Sequence, residues 1–360
     1  MDIQTLRAQL TETDAALLDL VAKRQALVTQ IGENKLAEGR PTRDYAREKV
    51  VLQGARARAA TLGLDPDMAE DLLRHLIRAS LTRQEALRVA REGQGTGRRA
   101  LILGGRGKMG GWFANFLASQ GFEIDVADPA GPLDGAGYID DWTSAQLDHD
   151  LVVVAAPLGV TSAILEQLAT LRPSGLIVDI GSLKTPLRAG LRACIDAGLQ
   201  VASIHPMFGP DARLLSDKHV IFVELGLPQA QALARELFAP TMAEQVEMGL
   251  DEHDQMMAYV LGLSHALNIA FFTALTESAQ TAQTLARLSS TTFDAQLAVA
   301  ARVARESPAL YFEIQAANEH GAKSLDALER AIHSLRRSVD SADIDSFTAL
   351  MDSGRRYFAD

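Results

Sequence analysis

The sequence predicts three successive folding units: an all-helical segment, an α/β segment built on a parallel sheet, and a second all-helical segment. Three observations carry this. The 360 residues exceed what one hydrophobic core organises. Short β-branched runs alternate with helical stretches between residues 100 and 223, whereas the flanking regions show helical periodicity alone. The charge is also divided: residues 1–91 hold 15 Lys+Arg against 13 Asp+Glu, and the remainder carries −13 of the total −11.

With 47% hydrophobic and 22% charged residues and no low-complexity stretch, the chain can bury a sizeable core. Its net charge argues against a general binder of nucleic acid. The single cysteine, Cys194, excludes an internal disulfide framework and any multi-cysteine metal site, and reads as a small buried apolar residue. Apolar runs such as Leu151–Val160 fall short of the ~20 residues of a membrane span, and Met1–Arg7 lacks a secretory pattern. A cytoplasmic protein without membrane contact is expected.

Leu6, Leu10, Leu17, Leu20, Val21, Leu27, Val28 and Ile31 recur at helical spacing, which predicts one helix from about Gln4 to Ala37. At 1.5 Å per residue it spans on the order of 50 Å, too long for two short following helices to cover, so a partner subunit is implied. A second helix is expected from Asp44 to Leu62. A third starts at Asp65-Pro66-Asp67 and ends near Arg91. The glycine-rich join 92–97 marks a boundary. Strands are then expected at 100–103, 123–127, 151–155, 176–180, 201–204 and 220–223, and after about Asp251 only helices. The predicted units are 1–91, 98–248 and 249–360, the last a helical dimerisation domain.

The first strand runs into Gly104-Gly105-Arg106-Gly107-Lys108-Met109-Gly110, a G-x-G-x-x-G turn that opens a helix. A second strand ends in Asp128, 18 residues past the last glycine. This context defines a Rossmann-type dinucleotide-binding domain. Gly105, Arg106, Gly107, Met109 and Gly110 form the candidate cofactor turn, with Gly105 for the tight bend, Gly107 for approach to the pyrophosphate and Gly110 for helix packing. Asp128 can accept from the ribose hydroxyls and repel a 2′-phosphate, which favours NAD. Ala156-Pro157 ends the strand that borders the nicotinamide side. At the end of a later strand, the imidazole of His205 can take a proton from a hydroxyl whose carbon gives up a hydride.

His205-Pro206-Met207-Phe208-Gly209-Pro210, Asp179 to Lys184, Glu252-His253-Asp254, Ser264-His265 and Ala301 to Pro308 together resemble the prephenate dehydrogenase family over residues 98–360. The resemblance implies that His205 contacts the ring hydroxyl and Ser182 orients it. His265 and Arg302 help hold the substrate, and Lys184 and His253 fall at motif positions assigned to the same substrate site.

In the N-terminal segment, Arg24 and Lys35 share a helix face with bases roughly 16 Å apart, so their side chains can converge on a small dianion. Arg7 lies roughly 25 Å from Arg24 and about 100° round the helix, placed to reach a partner's site. Asp44, Arg47 and Glu48 share a face of helix two, and Ser80 and Gln84 a face of helix three. These residues are similar to the all-helical chorismate mutase family over about residues 1–90. That resemblance implies that Arg7 of one subunit and Arg24 of the other bind the substrate carboxylates, with Arg47 and Ser80 positioning the substrate beside Asp44. Lys35 and Gln84 donate to the ether oxygen, and Glu48 holds the ring hydroxyl.

Together the resemblances imply a homodimeric, bifunctional chorismate mutase/prephenate dehydrogenase of tyrosine biosynthesis. Chorismate and prephenate are its substrates, NAD its cofactor, and no metal is required. Tyrosine as feedback inhibitor follows from the resemblance alone, with no residue pattern to locate it. Two alternatives stay open: the same oxidation on arogenate or a 4-amino-4-deoxy analogue, and a regulator that senses metabolites without turnover.

Overall fold

Asp2 accepts a hydrogen bond from the Thr5 amide at 2.8 Å and so starts helix α1, Ile3–Ala37, in a computed structural model that describes residues 2–359. Asp44 caps α2, Tyr45–Leu62, and Asp65 caps α3, Pro66–Glu92, with proline in its first turn. Only Val28 and Gly32 of α1 are buried. Leu10, Leu17, Leu18 and Leu20 are each more than half exposed, so most of the helix lies uncovered by its own chain.

The middle of the chain contributes β1 Arg99–Leu103, α4 Lys108–Ser119, β2 Glu123–Ala127, β3 Gly137–Tyr138, β4 Leu151–Val154, α5 Leu158–Leu171, β5 Leu176–Asp179, α6 Arg188–Asp196, β6 Val201–Pro206, β7 His219–Val223, α7 Pro228–Glu236 and β8 Glu244–Met248. These strands form one sheet in the order β3-β2-β1-β4-β5-β6-β7-β8. All neighbours are parallel except β6 and β7. Strand order reverses beside β1, and the carboxyl ends of β1, β4, β5 and β6 share one edge, which is where α/β sheets place ligands. The central strands are buried on both faces, as a doubly covered sheet requires.

Two strands escaped the apolar-run criterion. The two-residue β3 is exposed, and β8, Glu-Gln-Val-Glu-Met, is polar and at most half-buried on the outer edge, so neither carries a continuous apolar run. The glycine-rich join is packed rather than free: a Cβ on Gly95 would lie 2.3 Å from Phe122, and the Gly95 amide donates to Gln120 O at 3.0 Å.

The C-terminal unit is helical: α8 Leu250–Met257, a π-helical turn Ala258–Leu263, α9 Ser264–Glu277, α10 Ala282–Arg287, α11 Thr291–Val303, α12 Pro308–Ala316, α13 Gly321–Asp340 and α14 Ile344–Tyr357. Residues Leu250–Glu277 run as one continuous helical stretch of 28 residues. Its most apolar 18-residue window has a mean hydropathy of 1.5, enough by length and composition alone to cross a membrane, a criterion that core helices also meet. Polar residues are interspersed along it, so it contains no long uninterrupted apolar run. Only 17% of its most apolar window is buried within the chain. Cys194 is fully buried and donates to Leu165 O at 3.2 Å, and burial pushes its thiol up to about 11.

Candidate functional site

The glycine turn sits at the carboxyl end of β1, beneath the start of α4. A Cβ on Gly110 would fall 2.1 Å from Gly104 O, and one on Gly105 would fall 2.5 Å from Val126, so helix, turn and strand meet only because those side chains are missing. Gly104, with φ +90°, abuts the end of β4: its Cβ would stand 2.7 Å from Ala155 O, next to Ala156 and Pro157. Gly107 caps α4 without a side-chain acceptor, which leaves first-turn amides available to an anion. The exposed side chain of Arg106 flanks this turn, whereas Met109 packs onto the core below it. Asp128 closes the far side, accepting from the Arg106 amide at 2.9 Å and the Ala130 amide at 2.8 Å. A cradle of amides that added Cβ atoms would fill, bordered by a carboxylate, fits the pyrophosphate and ribose of a dinucleotide.

Ser182 lies just past the end of β5, and His205 is the penultimate residue of neighbouring β6, the register pairing Asp179 with Ser203. His205 Nδ1 stands 2.9 Å from His253 Nε2, and His253 Nδ1 stands 2.7 Å from Asp254 Oδ1. Asp254 also accepts from the Lys184 amide at 2.9 Å and the Thr185 amide at 2.7 Å. Burial alone would raise the Asp254 pKa, but the bonds from His253 and these amides outweigh it and hold the carboxyl at about 2. Burial lowers the His253 pKa, so this ring is neutral at pH 7. Hydrogen-bond balance then fixes the tautomers: His253 donates from Nδ1 to Asp254, its Nε2 accepts from His205 Nδ1, and His205 Nε2 is left with a lone pair. The His205 pKa lies well below the ordinary imidazole value, chiefly through burial, then through His253 and the Lys184 charge.

Lys184 and His253 lie beside His205 in the interior. Both are fully buried. Lys184 Nζ donates to Asp179 Oδ1 and to Ile204 O, each at 2.8 Å, so it braces β5 against β6 behind His205. Beyond the π-helical turn, His265 is half-buried and stacks on Tyr311 with ring centroids 4.1 Å apart. Its buried Nδ1 has no protein partner. Arg302, on α11, is exposed.

In the N-terminal unit, Arg24 donates to Ser80 Oγ at 2.5 Å and to Leu76 O at 2.9 Å. Lys35 donates to Thr42 O at 2.7 Å, and burial lowers its pKa. Lys35 and Gln84 line one small pocket with Arg40 and Arg88, and Gln84 Oε1 is buried without a partner. Asp44 serves as the cap of α2, accepting from the Arg47 amide at 2.9 Å. The Arg47 side chain is exposed, and so is Arg7 on the uncovered part of α1. Glu48 is gripped by Arg43 through Nε at 3.0 Å and Nη2 at 3.3 Å.

Sequence reasoning overlooked Glu85. It is buried on α3 and accepts from the Leu215 amide at 2.8 Å and the Met242 amide at 2.6 Å, joining the helical unit to the sheet unit. Burial raises its pKa against these two bonds. Its position between Leu81 and Val89, at i+4 and i+8 on the buried face, is the signal that could have found it. A cleft of about 700 Å³ opens beside it, reaching Gly107, Trp112 and Arg213. Among the described residues no group of three or more His, Cys, Asp or Glu side chains is arranged to hold a metal.

Fold and geometry define a helical enzyme unit docked on a nucleotide-dependent dehydrogenase. Residues 6–85 match chorismate mutase type II, 134–246 the prephenate dehydrogenase nucleotide-binding domain and 250–353 the prephenate dehydrogenase dimerization domain. The nucleotide-binding match begins after the glycine turn, so assignment of that turn rests on its own geometry. The T-protein of Enterobacter agglomerans is 30% identical over 367 residues, covering 100% of this chain and 94% of that protein. The T-protein of Haemophilus influenzae is 27% identical, covering 99% and 93%. A 4-amino-4-deoxyprephenate dehydrogenase of Streptomyces pristinaespiralis is 32% identical over 264 residues, 70% of this chain and 88% of that one. The chain belongs to the bifunctional chorismate mutase/prephenate dehydrogenase family. Among solved structures, prephenate dehydrogenase from A. aeolicus in complex with hydroxyphenyl propionate and NAD+ shares the fold, with TM-score 0.59 and 21% identity over 73% of this chain and 98% of that one.

Proposed function

We propose that this chain rearranges chorismate to prephenate within residues 1–91 and then oxidatively decarboxylates prephenate to 4-hydroxyphenylpyruvate with NAD, a route toward tyrosine. The observation that carries the oxidative step is the Asp254–His253–His205 chain, which orients a neutral, unprotonated Nε2 at the carboxyl edge of the sheet. His205 Nε2 takes the proton of the ring hydroxyl as the carbon bearing it loses hydride, and Ser182 orients that hydroxyl. NAD, when bound, accepts the hydride. Loss of carbon dioxide then leaves the electron pair of the broken bond in the aromatic ring. Gly105, Gly107 and Gly110 hold the pyrophosphate, Asp128 reads the ribose, and Arg106, Ala156 and Pro157 border the cofactor. His265 and Arg302 hold the substrate. Lys184 and His253 act from behind His205.

The rearrangement needs no nucleophile or proton transfer, only a compressed conformer and donors aimed at the oxygen that gains negative charge. Lys35 and Gln84 supply those donors. Arg24, Ser80 and Arg47 bind and position the substrate, and Glu48 takes the ring hydroxyl. The uncovered length of α1 supports a homodimer in which Arg7 completes the partner's site, and the apolar helices of residues 249–360 support a second area of subunit contact. Inhibition by tyrosine and a cytoplasmic location accord with this reading.

Likeness to a 4-amino-4-deoxyprephenate dehydrogenase favours a second substrate. The fused mutase weighs toward prephenate, because that is the compound it releases. Purified protein is to be assayed for NADH formation with chorismate, prephenate, arogenate and 4-amino-4-deoxyprephenate, with identification of products. Turnover of chorismate plus NAD to 4-hydroxyphenylpyruvate is expected. Turnover confined to the amino substrates would reject prephenate, and no turnover with any substrate would favour a metabolite sensor.

A further inference from the structure

Arg43 connects the two enzymatic units through all three guanidinium nitrogens. Nε and Nη2 grip Glu48, while Nη1 donates to Asp217 Oδ1 at 2.9 Å, Asp217 Oδ2 at 2.8 Å and Ser216 Oγ at 2.6 Å. The guanidinium also lies over the Tyr45 ring, 4.3 Å from its centroid. A planar fork held on two edges and one face has no rotational freedom left. Asp217 adopts φ +62°, a left-handed conformation uncommon outside glycine, and its carboxylate is turned back across the seam. Two residues earlier, the Leu215 amide donates to Glu85, so the Arg43 and Glu85 contacts meet on one short segment between β6 and β7.

We propose that Asp217, with Ser216, is a positioning residue for the mutase site: by holding Nη1 of Arg43 it sets the edge of the guanidinium that aligns Glu48. A segment of the dehydrogenase unit thereby completes the geometry in which chorismate rearranges. The inference rests on the reading that Glu48 belongs to that site. The Asp217 side chain is 73% exposed, and exposed ion pairs contribute little to stability, so its worth lies in geometry.

The test uses the full-length protein and four forms: wild type, Asp217→Asn, Glu48→Gln and the double variant. Asparagine tolerates the left-handed backbone but removes the charge and one of the two oxygens that face Nη1. Two quantities are read: mutase kcat/KM, and calorimetric affinity for a stable bicyclic ether dicarboxylate that mimics the rearrangement transition state and carries the ring hydroxyl. Asp217→Asn should lower both on the order of tenfold, about the value of one charge-assisted hydrogen bond. Dehydrogenase activity on supplied prephenate should be unchanged in the same sample. In the Glu48→Gln background the second substitution should weaken analogue binding no further, because the residue it positions has lost its charge. An unchanged mutase in Asp217→Asn, or equal losses in both backgrounds, would overturn the proposal. Full mutase activity in Glu48→Gln would instead reject the reading of Glu48 on which it stands.

Discussion

Asp254→Asn tests the tautomer argument directly. The carboxylate accepts from His253 Nδ1 and from the Lys184 and Thr185 amides, whereas a carboxamide has one oxygen and one donor group. If the amide nitrogen faces the Thr185 N–H, two donors meet at the 2.7 Å now spanned by a bond, at a cost of roughly 1–3 kcal/mol. If it faces His253 instead, Nδ1 must accept, Nε2 must carry the proton and donate to His205 Nδ1, and His205 is left protonated on the nitrogen meant to be the base. Dehydrogenase kcat should fall about 10²- to 10⁴-fold, the range for a lost or mis-tautomerised base. NAD affinity and mutase activity should persist. The charge also carries stability. Asp254 is held at about 2 against an ordinary 3.8, so with each pKa unit worth about 1.4 kcal/mol the ionised form contributes roughly 2 kcal/mol. Because the folded pKa is depressed, that contribution is present above pH 4 and is lost as pH falls toward 2. The denaturation midpoint of Asp254→Asn should lie below wild type at pH 7, and the gap should close in acid. A variant with kcat within tenfold of wild type would refute the tautomer chain.

Further outcomes follow from the same geometry. The acid limb of dehydrogenase kcat/KM should lie below pH 6.5, since burial, His253 and Lys184 depress His205 and the neutral base survives into more acid solution; a limb at or above 6.5 in a pH–rate profile would contradict this. Gly110→Ala should unseat the start of α4, because backbone oxygen occupies the position 2.1 Å away where the methyl must go, and NAD titration should show lost binding while mutase activity survives. Arg7→Ala and Arg24→Ala should each abolish most mutase activity; refolding an equal mixture should restore about a quarter of wild type if each site draws one arginine from each chain. No recovery despite confirmed subunit exchange would place both arginines in one chain's site.

Local signals made much of this protein legible without coordinates. Helical periodicity gave α1 to α3 within a residue or two, and the strand–glycine–helix–strand–aspartate succession marked a candidate cofactor cradle, because a backbone turn that close to a helix and strand can be made only by particular residues at particular spacings. The pairing of His205, Ser182 and the glycine turn at one sheet edge followed from parallel topology alone.

What the sequence could not determine was how residues far apart in the chain are used once buried. Motif membership says nothing about depth, and only packing shows His253 and Lys184 fully buried beside His205. Asp254 is engaged by two amides 69 and 70 residues away, Glu85 by amides 130 and 157 residues away, and Arg43 by a carboxylate 174 residues distant. The edge strand β8 lacked a run of apolar residues and was recruited by pairing with β7. Periodicity and turn chemistry are encoded within a few residues, so the chain reveals them directly. Burial, tautomer and cross-unit hydrogen bonding depend on which distant groups the tertiary fold brings within 3 Å, and no local pattern encodes that.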